Sequence, residues 1–185
     1  MDKEIVQKCR EGDRNAQKVV FDSLFGKVYS VSKRYIGDRE DVLEVVNTVF
    51  LTAFINIKQF EDKGDFEAWI RRITVNKSID FLRVNKKLES PVEENDLVYL
   101  NKNVSYNEAL EKLSIEVMDA MLNQLPSYWR SVFNMHAIEG YSHKEIAKIL
   151  GISELMSRKY LSKARKQLQS LVKKNDSIFE LNVNG

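Results

Sequence analysis

The stretch that decides the fold is GYSHKEIAKILGISELMSRKYLSKARKQL, residues 140–168, which has the pattern of two helices joined by a very short turn. Ser142, followed three residues later by Glu145, forms the capping-box pattern that begins a helix. Gly151 ends this helix where a left-handed backbone is needed, and Ser153 can cap the next one. Because a short turn makes two helices cross steeply, the stretch predicts a helix-turn-helix.

The second helix of this stretch is strongly basic, with five cations in nine residues: Arg158, Lys159, Lys163, Arg165 and Lys166. Basic residues outnumber acidic ones by 10 to 3 in residues 127–174, compared with 15 to 14 in residues 1–83 and 4 to 8 in residues 84–126. The positive excess therefore lies around the helix-turn-helix, although the whole chain carries only +2. This concentration favours DNA binding. A solvated cationic helix is the alternative interpretation.

The remaining sequence predicts an all-α chain of 185 residues with few breaks. Apolar residues recur at helical spacing, which predicts helices over about residues 3–11, 15–35, 42–57 and 66–83. An acidic, aperiodic segment containing Pro91 then indicates a linker. We therefore expect two small helical domains joined by a flexible linker. The bounds are residues 1–84 and 109–174 for the domains, 85–108 for the linker and 175–185 for a tail of unknown order.

Composition gives no sign of secretion or of a membrane segment. Cys9 is the only cysteine, so no intramolecular disulfide can form, which fits a reducing compartment. The N-terminus is too charged for a secretory signal, and no apolar run is long enough to span a bilayer. We expect a cytoplasmic protein without a membrane segment of its own.

Catalytic motifs are absent from the sequence. His136, His143 and Cys9 lie too far apart to give a metal-ligand spacing, and no glycine-rich phosphate loop is present. His136 is expected in the core or at its boundary, and His143 is expected to face solvent or a DNA phosphate. The sequence therefore predicts no catalytic residue, no metal and no cofactor, and hence a protein that is not an enzyme.

Aromatic and basic residues alternate in residues 60–83, a mixture that suits single-stranded DNA because bases stack on rings and cations follow phosphates. Phe66 and Trp69 have the spacing of core residues, so we expect them to be structural. The better DNA-binding candidates lie on the loop or away from the apolar stripe: Phe60, Lys63, Arg72 and Asn76.

Three stretches, in this order, resemble the extracytoplasmic-function (ECF) group of bacterial RNA polymerase sigma factors, within the sigma-70 family. RYIGDREDVLEVVNTVFLTAFINIKQF (34–60) is similar to the helix that binds the polymerase. FEAWIRRITVNKSIDFLR (66–83) is similar to the segment that melts and reads the promoter's −10 element. LPSYWRSVFNMHAIEGYSHKEIAKILGISELMSRKYLSKARKQL (125–168) is similar to the domain that binds the −35 element.

The resemblance implies a sigma factor that directs core polymerase to specific promoters and helps to open the −10 element. It places the contact with the polymerase β′ clamp helices on one part of the third helix: Asp41, Glu44, Asn47, Thr48 and Leu51. It assigns a loop and the next helix to the −10 element: Phe60, Lys63, Gly64, Asp65, Arg72 and Asn76. Its further implied partners are promoter DNA and an anti-sigma factor.

For the −35 element, the resemblance assigns residues on both helices of the helix-turn-helix. These are Ser142, His143 and Lys144 on the first helix, then Ser157, Arg158, Tyr160 and Leu161 facing the major groove, with Lys163, Arg165 and Lys166 nearer phosphates. The chain departs from the family at Leu155 and Met156, where small residues are usual. This departure leaves the promoter preference open.

Two other interpretations remain at this point. A two-domain regulator of the response-regulator type would carry the same helix-turn-helix, but its receiver domain needs strands and an acidic pocket that residues 1–83 lack. An all-helical enzyme is the second alternative, and it has no catalytic motif to support it.

Overall fold

A computed structural model describes residues 1–61, 64–85, 88 and 115–183, with the side chains of 115–116 and 174–183 excluded. The chain divides into two compact units, Met1–Lys87 and Leu88–Gly185. The described parts of both units are helical and contain no strand, which confirms the all-α prediction and gives no support to a receiver domain. Apart from residues 85 and 88, the predicted linker lies outside the described residues.

The described residues of the N-terminal unit form four α-helices and one short 3₁₀ turn. The helices are α1 (Lys3–Arg10), α2 (Arg14–Ile36), α3 (Arg39–Ile55) and α4 (Phe66–Val84), and the turn is Ile57–Gln59. Each helix begins after an aspartate whose carboxylate accepts a hydrogen bond from a backbone N–H of the first turn: Asp2, Asp13, Asp38 and Asp65. These caps satisfy N–H groups that have no partner within the helix and place negative charge at its positive end.

The core of the N-terminal unit lies where α2, α3 and α4 pack against one another. α3 contributes four valines that are at most 2% exposed, Val42, Val45, Val46 and Val49. α1 packs against α2 and the 3₁₀ turn and buries Val6 and Cys9. The buried stripe of α3 fixes which of its faces points outward.

The C-terminal unit contains α5 (Ile115–Asn123), α6 (Ser127–Phe133), α7 (His143–Leu150) and α8 (Glu154–Val183). A π-helical turn, Asn134–Ile138, extends α6. The segment expected as a tail continues α8 as far as Val183, so the domain bound expected at residue 174 does not end the helix.

α7 and α8 form the predicted helix-turn-helix, which is confirmed. Ser142 and Glu145 form both hydrogen bonds of the capping box at the start of α7. Gly151 ends α7 with a φ of 68°, in the left-handed region that a side chain rarely adopts. No helix of the described residues has the length and apolar character needed to cross a membrane.

The buried stripes make a prediction about stability. Leu82 is 1% exposed in the N-terminal core, whereas Leu51 is 62% exposed on α3. We expect Leu82→Ala to lower the free energy of unfolding by about 2–5 kcal/mol, because it removes buried methyl groups and leaves a cavity. Leu51→Ala is the matched control and should change it by less than about 0.5 kcal/mol. Urea unfolding followed by circular dichroism measures both, and equal losses would contradict the packing described.

Candidate functional site

One ridge of α3 is exposed although part of it is apolar. Glu44, Asn47, Thr48 and Leu51 are all exposed and follow helical spacing along one face, and the Thr48 hydroxyl donates to the Glu44 carbonyl at 3.0 Å. Asp41, which was predicted to belong to the same site, is half-buried. The structure adds Ile55, which is 70% exposed and lies one turn beyond Leu51. The sequence could have indicated Ile55, because it lies four residues after Leu51 and outside the buried stripe. We call Glu44, Asn47, Thr48, Leu51 and Ile55 the α3 ridge.

The apolar end of the α3 ridge has the character of a docking surface. Leu51 and Ile55 are large, exposed and adjacent on one helix. Phe54 beside them is half-buried, and its ring lies 6.2 Å from that of the buried Phe50. Single exposed apolar residues are common, but two in succession on a ridge with short polar neighbours suit a helix that binds another helix.

A second surface lies at the start of α4. A depression of about 410 Å³ is lined by Phe60, Glu61, Gly64, Asp65, Ala68, Trp69 and Arg72. The exposed Arg72 and Asn76 lie three and seven residues after Trp69, on the same face of α4. Asp65 is the N-cap of this helix, and its carboxylate accepts the N–H of Glu67 at 3.0 Å. We call Asp65, Trp69, Arg72 and Asn76 the α4 face. Lys63 lies outside the described residues.

Phe60 does not have the role predicted for it. Its side chain is 8% exposed, and its ring meets Phe66 edge-on at 5.2 Å and Trp69 at 5.6 Å between centroids. Because the Phe60 ring is buried against two rings of its own unit, the expectation that it stacks on a base is wrong. Phe66 is buried, as expected. Trp69 packs against the same rings, 5.6 Å from Phe60 and 5.7 Å from Phe66, as its core spacing predicted, but it is half-buried and part of it borders the depression.

A long-range hydrogen bond holds the chain at Phe60, where the segment between the 3₁₀ turn and α4 begins. Arg10 on α1 donates from Nη2 to the Phe60 carbonyl at 2.7 Å, across 50 residues of sequence. Phe60 is therefore fixed through its backbone by α1 and through its ring by α4. Nothing in the sequence pattern indicated this contact, because Arg10 lies in a helix without any motif.

The C-terminal unit presents one face of α8 to solvent. Leu155 is 73% exposed, Arg158 and Lys166 are exposed, and Lys159 and Ser162 are half-buried on the same side. We call Leu155, Arg158, Lys159, Ser162 and Lys166 the α8 face. The predicted DNA-binding residues did not include Leu155, Lys159 or Ser162. Their spacing of three or four residues along α8 was the signal in the sequence that they share a face.

Three predicted groove-facing residues of α8 are instead buried. Ser157 is fully buried, and Tyr160 and Leu161 are each 4% exposed. They belong to a core stripe that continues at Ala164 and Leu168, with 0% and 2% exposure. The assignment of Ser157, Tyr160 and Leu161 to base contacts is therefore wrong, because side chains in this stripe pack against the unit's own core.

The predicted phosphate contacts differ in how accessible they are. Lys166 and Lys144 are exposed, whereas Arg165 is half-buried. The Lys163 ammonium lies 5.4 Å from the centre of the Trp129 ring, a cation–π distance. The Ser142 hydroxyl also donates to the Glu145 carboxylate at 2.7 Å, beside the two hydrogen bonds of the capping box. Arg158 pairs with Glu154 at 3.4 Å, which is an exposed pair one turn apart.

His143 turns inward, which corrects the expectation that it faces solvent or phosphate. Its ring stacks on His136 with centroids 4.4 Å apart, and its Nδ1 lies 2.8 Å from the hydroxyl of Ser157. His136, half-buried on the π-helical turn, lies with Nδ1 2.8 Å from the Tyr141 carbonyl and therefore donates to it. The pair connects the π-helical turn to both helices of the helix-turn-helix.

Burial is the largest cause that lowers the pKa of His143, and the nearby His136, Arg158 and Arg165 lower it further. At acid pH the unfolded chain therefore binds more protons than the folded chain. The contribution of His143 to the free energy of unfolding is fully present above its ordinary pKa of about 6.5. The contribution is lost as the pH falls through the lowered value.

The described residues contain no cluster of three or more His, Cys, Asp or Glu able to hold a metal.

We therefore expect acid to destabilise the helix-turn-helix through His143. Between pH 7.5 and 5, the melting temperature should fall further in the wild type than in His143→Asn. The amide can replace the hydrogen bond to Ser157 but does not titrate near these values. Thermal melts of both proteins across this range provide the measurement. Parallel pH profiles would show that His143 does not contribute.

Comparison with known proteins relates both units to one family. The model for Sigma-70 region 2 matches residues 20–88, and the model for Sigma-70, region 4 matches residues 115–168. The ECF RNA polymerase sigma-E factor of Haemophilus influenzae is 23% identical over 180 residues, which cover 92% of this chain and 95% of the relative. The ECF RNA polymerase sigma factor SigW of Bacillus subtilis is 26% identical over 170 residues, covering 82% and 86%.

Solved structures show the same fold. RpoE from Bartonella quintana, in complex with the anti-sigma factor NepR, gives a TM-score of 0.54 at 19% identity, covering 84% of this chain and 96% of that one. CnrH in complex with the cytosolic domain of CnrY gives 0.52 at 24% identity, covering 94% and 97%. With both region models matched in order and ECF relatives aligned along most of its length, the chain belongs to the ECF group of the sigma-70 family of RNA polymerase sigma factors.

Proposed function

We propose that this ECF sigma factor directs core RNA polymerase to specific promoters and helps to open their −10 element. The observation that carries the proposal is the α3 ridge, where Leu51 and Ile55 are 62% and 70% exposed within the residues matched by Sigma-70 region 2. A ridge of this kind is expected to be covered by a partner.

The β′ clamp helices of the polymerase are the proposed partner of the α3 ridge. Leu51 and Ile55 supply apolar anchors, and Glu44, Asn47 and Thr48 supply polar contacts on the same side of the helix. Helix-in-groove recognition uses anchors at this spacing. Burying Leu51 or Ile55 fully would contribute about 1.5–3 kcal/mol each, so these two residues should dominate the contact.

The α4 face is the proposed site for the −10 element. Trp69 offers a ring for stacking, Arg72 a cation for phosphate and Asn76 an amide for a base edge. Extruding a base from duplex DNA costs a few kcal/mol, which contacts in the depression beside Trp69 must offset. Gly64 borders this depression and would lie beside that base, and we also assign Lys63 to this contact as a cation for phosphate.

The α8 face is the proposed site for the −35 element, with Arg158 reading a base and Lys166 and Lys144 contacting phosphates. Neither unit needs to bind DNA tightly alone, because a tether makes the second contact intramolecular.

The chain itself carries out no covalent chemistry in this account and needs no cofactor, since it supplies specificity to the polymerase. It acts in the cytoplasm, where it meets core enzyme and promoter DNA.

We also propose an anti-sigma factor as a partner, since RpoE of Bartonella quintana was solved with one. An exposed apolar ridge gives such a partner a surface to cover when core enzyme is not bound.

The polymerase contact can be tested with two matched double variants. Asn47→Arg with Leu51→Arg should weaken binding to core enzyme by tenfold or more, on the order of the transfer free energy of one leucine, because it places charge on the α3 ridge. Val19→Arg with Ser23→Arg adds the same charge at the same spacing on exposed positions of α2 and should bind normally. Affinity is measured with fluorescently labelled chain and core enzyme. Equal affinities for the two variants would reject the ridge as the contact.

The −10 contact can be tested by changing the ring alone. Trp69→Leu should slow opening of duplex promoter DNA, whereas Trp69→Phe, which keeps a stacking face, should open it at nearly the normal rate. A template already mismatched across the −10 element removes the unpairing cost, so it should restore much of the activity of Trp69→Leu. Permanganate footprinting of thymines with each holoenzyme measures opening. Normal reactivity on duplex DNA with Trp69→Leu would show that this ring does not capture a base.

A further inference from the structure

We propose that Leu155 is a specificity-determining residue that recognises the methyl group of a thymine in the −35 element. The inference rests on the proposed function of the α8 face. Leu155 is the most exposed large apolar side chain of the described C-terminal residues, at 73% exposure. It lies in the first turn of α8, whose buried stripe is formed by other residues.

The start of α8 holds Leu155 in a defined position without burying it. The Ser153 hydroxyl accepts the N–H of Met156 at 3.1 Å, and the Ser153 carbonyl accepts the N–H of Ser157 at 3.0 Å. The fully buried Ser157 anchors this turn to the core. Leu155 is therefore presented on a fixed backbone, and its exposure is not explained by packing within the unit.

The chemistry of the major groove leaves few partners for a leucine. Base edges there carry hydrogen-bond donors and acceptors, and the thymine C5 methyl is the apolar group among them. A leucine cannot satisfy the polar edges and would desolvate them, which costs free energy. Contact with a methyl group instead removes apolar surface from water on both sides.

The spacing on α8 also predicts where this thymine lies. Leu155 and Arg158 are three residues apart, so their Cβ atoms are about 5–6 Å apart on one face. Successive bases of one strand are about 3.4 Å apart along the DNA axis. The thymine should therefore lie within about two base pairs of the base pair that Arg158 reads.

The test uses deoxyuridine, which differs from thymidine only by this methyl group. A −35 sequence is first selected from a randomised library with the wild-type holoenzyme, and each thymine in it is then replaced singly. One replacement should weaken wild-type binding by about fourfold, the equivalent of one buried methyl group. Leu155→Ala should bind both DNAs with equal affinity, and circular dichroism should show an unchanged fold.

Three results would overturn the proposal: wild-type affinity that is unaffected by deoxyuridine at every position, a Leu155→Ala variant that loses as much as the wild type, or a selected sequence without thymine near the base pair that depends on Arg158. Arg158→Ala and Lys166→Ala separate this failure from that of the proposed function. If they weaken −35 binding while deoxyuridine has no effect, only the role of Leu155 is wrong. If neither weakens it, α8 does not enter the groove, and both proposals fail.

Discussion

Burial of α3 between α2 and α4 is the constraint on which the N-terminal unit depends. Val42, Val45, Val46 and Val49 lie on the buried face of the helix, together with Phe50 and Ala53. Leu51 and Ile55 lie outside that face, so they remain in water despite their apolar character. The exposed ridge is a direct result of where the valines are, and the proposed polymerase contact uses what the core leaves over.

In α8, as in α3, burial of one stripe determines which side chains remain exposed and can meet DNA. Tyr160, Leu161 and Leu168 face the core, which leaves Leu155, Arg158 and Lys166 outward. The turn before α8 is fixed at Gly151, whose φ of 68° suits glycine. The stacked histidines connect the π-helical turn to the start of α7 and, through Ser157, to α8, so they support the orientation of the two helices.

Local patterns predicted the helices and the helix-turn-helix with its caps at Ser142 and Ser153, because these depend on residues close together in the sequence. Phe60 and His143 were misplaced because their contacts join residues from different elements of the chain. Phe60 looked like a free loop residue, but Arg10 holds its carbonyl and two rings from α4 enclose its side chain. His143 looked like a surface residue of a first turn, but its partners are Ser157 and His136. Ser157, Tyr160 and Leu161 were assigned by family resemblance, although the spacing of apolar residues along α8 already placed them in a buried stripe.

Transcription by purified core polymerase is the most direct test of the central claim that this chain gives the enzyme its promoter specificity. A library of randomised promoter DNA is transcribed with core enzyme alone and with core enzyme plus the full chain, and the 5′ ends of the RNAs are sequenced. We expect new 5′ ends, present only with the chain, downstream of two sequence elements at a constant spacing. The same 5′ ends with and without the chain would contradict the claim.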